Sequence, residues 1–417
     1  MGVSGRAEPV APPAIVCTPT TVQQRGKGPE TVQNPIAQAL SEATPGSTVW
    51  LQPGDYPAFT IGFLTSSPAN AKTEGGQPGF PIVVQGTAPG VRILGGEGDA
   101  IAIDQKMPCA WITFKNLTIV PGRRAGVIFY QRGDGRVHQG FHFEDVHILG
   151  RYDHTTGEGP RSKWGVWGQN LADFRFAGVD EPARIENISE EHAFYLQNSQ
   201  GPIVIENVHA RDLGRTFLQL TARPQNGPVG IGDVTVRDCH VEDACIARAD
   251  GFKGGSAFSV CGRMTGILLF ERNVYRAGFR IERLPLTMPA QPYGTGAFTA
   301  WEEGKSGRNG TLILRDNDFA FAEGCGDRPV VSIGGCDRVL VVGQNRFASG
   351  GRQPALSLDP ASWDGKTVST PNGSAYVAPA TKIEGELVLR NRPPSPEELA
   401  QLRREAPEQG SDPPGER

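Results

Sequence analysis

A short alternating pattern recurs along most of this chain of 417 residues and limits the folds open to it more than any other feature. Two apolar residues flank a residue of any type, one further residue follows, and the copy ends in Asn, Asp or Gly. Such alternation puts every second side chain on one face, as a β-strand does and a helix does not. The copies start at Ile112, Phe141, Ala183, Ile203, Val234, Leu312, Val339 and Leu387, and a looser copy runs from Ile267 to Asn273.

Each copy leads into a short apolar piece, such as Val146–Ile148, and then into a second alternating segment, so the repeat contains three strands. Three short strands cannot bury an apolar face alone and have to stack on neighbouring repeats. The sequence therefore predicts an all-β fold, a right-handed parallel solenoid with three strands per coil. The 54 glycines and 34 prolines fit its many turns. The second segments are Gly126–Tyr130, Gly165–Gln169, Ala193–Gln197, Thr216–Leu220, Ala257–Cys261, Ala297–Trp301, Val330–Gly334 and Ala355–Asp359.

Over residues 31–391 the chain resembles the right-handed parallel β-helix proteins of the pectin-lyase-like superfamily. In that superfamily an asparagine ladder stacks inside the tight turn between the second and third sheets. The last residues of the copies at 116, 145, 187, 207 and 238 are Asn or Asp and match this ladder. The N-terminal part is also similar, because Asn34 and Pro35 read as the N-cap and first residue of a short helix over 36–43. Such a helix covers the first coil and protects its open sheet edge.

Both ends of the chain lack apolar periodicity. Residues 1–30 are predicted to be a leader or linker, and residues 392–417, rich in Pro, Glu and Arg, a disordered tail. No apolar run preceded by basic charge is visible at the N-terminus, so no signal peptide is recognised. A trimmed leader and another export route, such as virion assembly, both remain open, and the expected location is extracellular or virion-associated.

Charge and cysteine usage exclude several classes of function. Lys and Arg total 41 against 45 Asp and Glu, which gives a net charge of −4 and no basic surface for nucleic acid. No apolar run is long enough to insert into a membrane. The seven cysteines are an odd number without metal-binding spacing. Two readings stay open for them: a bridge such as Cys325–Cys336, or free thiols buried in the core.

The resemblance implies a groove on the first sheet, which the second alternating segments form. Loops between the coils support this, because the predicted walls at 150–164 and 244–256 are long and the loops between them are short. Strand alternation places Phe194 and Leu196 inward. The side chains predicted to face outward are Ile128, Leu218, Ser259, Cys261 and Trp301, with one column of Tyr130, Gln169, Gln197 and Leu220 and a neighbouring one of Trp167 and Tyr195.

Exposed aromatic and amide columns suit a polysaccharide, because aromatic rings stack on sugar faces and amides bond to hydroxyls. The alternative is that long loops fold over this face and bury the rings. The predicted substrate-binding residues are Tyr130, Trp167, Gln169, Tyr195 and Gln197.

Charged side chains crowd the same rim and could cleave a sugar chain. Elimination beside a uronate needs a base, a cation for the carboxylate and a proton donor. Hydrolysis needs two carboxyl groups about 5 to 9.5 Å apart. The alternative is that these charges form solvated ion pairs. The candidate catalytic residues are Asp153, Glu191, His192, Arg211, Asp212 and Arg215.

A second charged column is predicted on the outward side of the second sheet. Stacked carboxylates repel unless a cation joins them, but basic residues close this stack at both ends and favour a structural charge ladder over a metal site. No metal ligand and no cofactor is therefore predicted, although a divalent cation stays an open alternative. The column reads Lys115, Glu144, Glu186, Glu206 and Arg237, with His147, His209 and His240 beside it.

Motifs of the known enzymes in this superfamily are missing. The D-D and G-H-G of polygalacturonase-like hydrolases and the R-x-P-x-x-R of pectate-lyase-like enzymes do not occur. The first hypothesis is therefore a polysaccharide-recognising β-helix that acts as a lyase or hydrolase. The second is a non-catalytic structural or adhesive solenoid, such as a phage tail or virion appendage or a cell-surface protein. Homo-oligomers and virion assembly are open under both.

Overall fold

The computed structural model describes residues 14–24, 26–62, 67–104, 106, 109–130, 137–222, 230–246, 255–279, 295–301, 309–325, 328–351, 354–358, 374–384 and 387–388. Its elements are almost all strands, and the described residues contain one helix, α1 (Pro35–Glu42). The strands are, in chain order, β1 (Ala14–Thr18), β2 (Thr21–Gln24), β3 (Glu30–Thr31), β4 (Thr48–Leu51), β5 (Gly54–Pro57), β6 (Phe59–Ile61), β7 (Asn70–Ala71), β8 (Ile82–Gly86), β9 (Val91–Leu94), β10 (Asp99–Ile103), β11 (Ala110–Val120), β12 (Ala125–Phe129), β13 (His138–Leu149), β14 (Trp164–Gln169), β15 (Leu171–Ala177), β16 (Ala183–Ile188), β17 (Phe194–Gln197), β18 (Ile203–Glu206), β19 (Val208–Leu213), β20 (Leu218–Ala222), β21 (Val234–Arg237), β22 (His240–Glu242), β23 (Gly255–Gly262), β24 (Ile267–Glu271), β25 (Val274–Ala277), β26 (Thr295–Trp301), β27 (Asn309–Arg315), β28 (Asp318–Phe321), β29 (Val331–Ile333), β30 (Cys336–Val342), β31 (Arg346–Ala348), β32 (Leu356–Ser357), β33 (Ser374–Val377), β34 (Lys382–Glu384) and β35 (Leu387–Val388).

Apart from the antiparallel pairs that β2 forms with β1 and β3, these strands stack in parallel into a solenoid, which confirms the predicted fold. The first sheet has twelve strands in the order β7, β6, β10, β12, β14, β17, β20, β23, β26, β29, β32 and β35. The remaining strands form one continuous sheet that bends at tight turns. We call its two sides the second face, which includes β15, β18 and β21, and the third face, which includes β16, β19 and β22. One strand from the first sheet and one from each face make a coil.

The interior of the coils is apolar because alternate residues of every strand point into it. Phenylalanines form files along the axis, with ring centroids 5.1 Å apart for Phe114 and Phe143 and 5.8 Å apart for Phe143 and Phe176. Phe194 and Leu196 on the first sheet are fully buried, as predicted. Burial contributes about 25 cal/mol per Å² of apolar surface, so this continuous core is the main force that stacks one coil on the next.

The N-terminal cap is more extensive than the sequence predicts. Helix α1 has the expected N-cap, since the Asn34 side chain accepts a hydrogen bond from the backbone N–H of Ala37 at 3.1 Å. Strand β1, however, pairs with both β2 and β4. Its Ile15 and Cys17 are fully buried against the first coil. The prediction that residues 1–30 form a linker is therefore wrong for residues 14–24, and the tail at 392–417 lies outside the described residues.

The tight turns between the second and third faces form one column of left-handed residues. Asn116, Asp145, Asn207 and Asp238 have φ of 51–56°, and β-strand pairing stacks them coil over coil. Asn187 does not belong to this column. It lies in β16 on the third face, where it is level with Asp212, and Gly178 takes its place in the turn.

The copy at Leu387 is also on a different sheet from the one predicted. Strand β35 pairs with β32 of the first sheet. Both errors have one cause, because an alternating strand of this length looks the same on every side of a solenoid.

A true asparagine ladder is present, but in later coils and one position beyond the left-handed turn. The ladder consists of Asn273, Asn317 and Asn345, each at most 1% exposed. The side chain of Asn317 accepts hydrogen bonds from the backbone and side chain of Asn273 at 3.0 and 3.1 Å, and its amide donates to Asn345 at 3.2 Å. In earlier coils the equivalent interior positions carry Val146 and Val208. The resemblance therefore predicts correctly that an asparagine ladder is present, but not which asparagines form it.

All seven cysteines are buried thiols outside any disulfide, so the alternative bridge between Cys325 and Cys336 is not formed. Burial raises the pKa of the thiols of Cys17, Cys109 and Cys239 to about 12. These cysteines pack as small apolar side chains. Among the described residues, α1 is the only helix, and it is too short to cross a membrane.

Candidate functional site on the first sheet

The outward side chains of the first sheet form the two predicted columns. Strand pairing puts Ile128, Trp167 and Tyr195 level in one file. The register of β14 and β17 puts Gln169 level with Gln197 in the neighbouring file, and the pairing of β12 with β14 extends that file to Tyr130. Adjacent strands lie about 4.8 Å apart, so residues far apart in the sequence become neighbours on one wall.

The predicted orientation of strand β20 is wrong by one residue. Leu218 and Leu220 pair with Phe194 and Leu196 and point into the core. The outward residues of this strand are Gln219 and Thr221. The error arises because Phe217 and Leu218 are consecutive apolar residues and both are buried. The sequence pattern therefore did not show which set of alternate residues of β20 faces the core.

An aromatic strip lies on the outward side between β12 and β17. Trp164 and Trp167 have ring centroids 4.5 Å apart and pack over Ile128 with Tyr130. Both tryptophans and both tyrosines, Tyr130 and Tyr195, are half-buried. Each ring therefore presents part of its surface to solvent while its body is held in place. Half-buried aromatic rings of this kind fit the apolar face of a sugar.

The two glutamines of the neighbouring file brace the strip. The Gln169 amide donates to the Gln197 carbonyl at 3.0 Å, and the Gln197 amide donates to the Tyr195 hydroxyl at 2.5 Å. Gln169 is 8% exposed and Gln197 3% exposed. The predicted contact between these amides and sugar hydroxyls is therefore unfavourable in this conformation, and the chain of amides positions Tyr195.

Three of the predicted catalytic residues meet at one edge of the first sheet. The Glu191 carboxylate forms an ion pair with Arg215 at 3.2 Å and lies 3.5 Å from Nε2 of His192. His192 also hydrogen-bonds Thr216 through Nδ1 and packs against the Tyr195 ring with centroids 5.0 Å apart. Burial, together with the charge of Arg215, lowers the pKa of His192 to about 3. Both ring nitrogens are therefore engaged, and His192 is a neutral anchor beneath Tyr195.

The other three predicted catalytic residues do not reach the first-sheet strip. Asp153 accepts hydrogen bonds from the Thr155 backbone and hydroxyl at 2.7 and 2.6 Å, which lowers its pKa and stabilises a turn of its own loop. Arg211 is on the third face and pairs with Glu186 at 3.0 Å. Asp212 follows Arg211 in a left-handed conformation and lies 3.9 Å from its guanidinium.

The loop at 150–163 forms the predicted wall and is tied to the coil beside it. The Ser162 backbone donates to the Ser189 hydroxyl, which donates back to the Ser162 carbonyl, both at 2.7 Å. His154 is buried under the loop and packs on Tyr152, and burial lowers its pKa. The wall at 244–256 lies partly outside the described residues, since only 244–246 and 255–256 are described.

A pocket at the N-terminal end of the first sheet was missed by the sequence analysis. It has a volume of about 590 Å³ and a floor that includes Thr60 and Ala102. The alternating stretch from Asp99 to Asp104, with an acid at each end, was the sequence signal that could have located it. The full lining is Ala58, Phe59, Thr60, Ala69, Asn70, Asp99, Ala102, Asp104, Arg124 and Tyr130.

The polar side of this pocket is held rigidly. The Arg124 guanidinium binds the buried Asp99 carboxylate through Nε at 2.9 Å and also contacts the Tyr130 hydroxyl. Tyr130 donates to Asp99 at 3.1 Å. Burial, followed by the charge of Asp99, raises the pKa of Tyr130 to about 12. The tyrosine hydroxyl therefore stays protonated at neutral pH.

The charged column on the second face is an ion-pair ladder, with one correction. Glu186 is on the third face, and the level position on β15 is Ala177. The guanidinium of Arg175, two residues earlier on β15, bridges Glu144 and Glu206. Within the described part of the chain, no three His, Cys, Asp or Glu side chains converge in a way that could hold a metal ion. The ion pairs are Lys115–Glu144 (3.7 Å), Arg175–Glu144 (3.2 Å), Arg175–Glu206 (3.6 Å) and Arg237–Glu206 (2.9 Å).

Comparison with known proteins gives only distant likenesses. No protein-family profile and no curated protein matches the chain. An alginate lyase from a Paenibacillus strain is 12% identical with a TM-score of 0.46, over 79% of this chain and 98% of the lyase. A GH136 lacto-N-biosidase from Eubacterium ramulus is 11% identical with a TM-score of 0.42, over 86% of this chain and 65% of that one. Likenesses this weak establish no shared activity.

Proposed function

We propose that the protein binds a polysaccharide along the outward side of the first sheet. The observation that carries this proposal is the half-buried aromatic strip of Trp164, Trp167 and Tyr195, which runs from the wall loop toward a pocket of about 590 Å³. Sites for small ligands are mostly apolar concavities with a few well-placed polar groups, and sugar rings match this mixture because they have apolar faces and polar edges.

We further propose that the bound chain is cleaved beside Tyr130. Tyr130 lines the pocket and its hydroxyl is protonated at neutral pH, so it is the group we assign to give a proton to the leaving oxygen. Asp104 lines the same pocket, and its side chain is 15% exposed. It is the carboxylate we assign as the base, because Asp99 is fully engaged by Arg124.

The binding test compares two aromatic substitutions on different sides of the solenoid. Trp167→Ala should weaken binding of the polysaccharides tested at least tenfold, about 1.4 kcal/mol, because it removes a stacking surface. Trp50→Ala is the matched control, since Trp50 is also half-buried but lies outward on β4 of the second face. Equal losses for both variants, or no loss for Trp167→Ala, would remove the first sheet as the binding surface.

The cleavage test uses neutral and acidic polysaccharides and follows unsaturated products by ultraviolet absorbance and hydrolysis by new reducing ends. Tyr130→Phe and Asp104→Asn should abolish turnover while binding changes only a few-fold. Binding without any turnover would leave an adhesive solenoid. Absence of both binding and turnover would favour a structural one.

A further inference from the structure

We infer that the pocket at the N-terminal end of the first sheet receives the end of the polysaccharide, and that the sugar unit at this end is uncharged. This inference rests on the proposed function and adds to it a mode of recognition and a substrate class. Three observations carry it: the place of the pocket in the sheet, its shape and its charge.

The pocket lies where the first sheet stops. Strand β7 is the last strand of that sheet and pairs only with β6 among the described strands. Ala69 and Asn70, at the start of β7, line the pocket on this side, and α1 packs on the same strand. In the other direction eight further strands follow β12 along the same wall. A sugar chain therefore has a long surface on one side of the pocket and the cap of the solenoid on the other.

The size and lining of the pocket suit a terminal unit. Its floor belongs to the neighbouring strands β6 and β10, and Arg124 and Tyr130 line it from the two ends of β12, so that the lining spans about 10 Å at the usual strand spacing. Thr60 and Ala102 lie level on the outward side of this floor, and Asn70 and Tyr130 line the pocket beside them. Donors and acceptors around an apolar floor match a ring with hydroxyl groups.

The charge of the lining disfavours a uronate. Asp99 and Asp104 contribute two carboxylates and Arg124 one guanidinium. The guanidinium already binds Asp99 through two nitrogens, so an incoming carboxylate would compete with a buried partner that is fixed in place. It would also approach the Asp104 carboxylate, which lies 3.9 Å from the half-exposed Lys106 ammonium. Repulsion between the carboxylate of a uronate and the carboxylates of the pocket opposes binding. A neutral or amino sugar carries no carboxylate and is not repelled.

The experiment measures how affinity depends on chain ends. Neutral and acidic polysaccharides, each intact and after partial acid hydrolysis, are titrated at equal mass while tryptophan fluorescence is recorded. A tenfold increase in the number of chain ends should raise the apparent affinity per unit mass about tenfold, and neutral chains should bind at least tenfold more tightly than uronate-ended ones. If the affinity per unit mass stays unchanged or falls when the chains are shortened, end recognition is refuted. If chains that end in a uronate bind more tightly than neutral chains, the charge argument is refuted.

Two tryptophan substitutions locate the effect. Thr60→Trp fills the floor of the pocket and should abolish the dependence on chain ends. Thr235→Trp is the matched control on the outward side of the second face and should keep it. If both variants lose the dependence on chain ends, or both keep it, the pocket is not the site of end recognition. If no polysaccharide binds the wild-type protein at all, the proposed function fails together with this inference, whereas binding that ignores chain ends refutes the inference alone.

Discussion

The asparagine ladder allows a sharp prediction about stability. Asn317 is fully buried, and its side chain takes part in four hydrogen bonds: two from Asn273, one to Phe270 and one to Asn345. Asn317→Leu removes all four while keeping the number and branching of the side-chain heavy atoms. At about 1 kcal/mol net for each bond the loss is roughly 4 kcal/mol, and the added apolar burial offsets about 1–2 kcal/mol. We expect a net destabilisation of about 2–3 kcal/mol.

The control for this substitution is Asn207→Gly. Asn207 is half-buried, its side chain donates to the Gly178 carbonyl at 3.0 Å, and its φ of 51° is one that glycine adopts without strain. Asn207→Gly should therefore lower the free energy of unfolding by at most about 1 kcal/mol. Guanidinium unfolding followed by far-ultraviolet circular dichroism measures both variants, with midpoints compared at equal slope. The reasoning is refuted if Asn317→Leu unfolds at the wild-type midpoint or if Asn207→Gly loses more.

Three further predictions concern packing, pH and the thiols. Gly150→Ala should destabilise the protein clearly more than Gly98→Ala, because a Cβ at Gly150 would lie 2.0 Å from the Asn187 carbonyl whereas at Gly98 nothing lies within 4 Å; thermal melting that ranks them in the reverse order would contradict the coil spacing. The lowered pKa of His192 means that the unfolded chain takes up a proton below about pH 6.5 and the folded protein only near pH 3, so the stability that His192 contributes is complete above pH 6.5 and falls as the pH drops toward 3. His192→Gln should therefore flatten the dependence of the unfolding midpoint on pH in this window, and parallel curves would show that His192 is not buried in its neutral form. All seven cysteines should resist alkylation in the native protein and react after unfolding, as counted by intact mass; rapid native labelling of Cys17 or Cys239 would contradict their burial.

The sequence alone was sufficient for the solenoid, the N-cap of α1 and most of the outward columns, because strand alternation and stacking follow from local pattern. It was insufficient to assign strands to sides. The stretches ending at Asn187 and Asn207 both read Ile-Glu-Asn, yet one lies on the third face and the other on the second. Only the long-range pairing of β15 with β18 distinguishes them.

The candidate site shows the same limit. Trp167 and Tyr195 could be placed outward from alternation, and Glu191, His192 and Arg215 do meet beside Tyr195. Burial could not be read from the pattern, so the sequence did not reveal that the glutamines are covered or that both nitrogens of His192 are engaged. The pocket around Arg124 was missed because its members come from separate strands that only the stacking of the first coils brings together.

A crystal structure with a bound oligosaccharide tests the central claim most directly. The oligosaccharide should be one that binds in the fluorescence titration. We expect its rings to stack on Trp167 and Tyr195 and its terminal unit to occupy the pocket beside Arg124 and Tyr130. Density for the sugar on the second or third face, with the first-sheet strip unoccupied, would contradict the account.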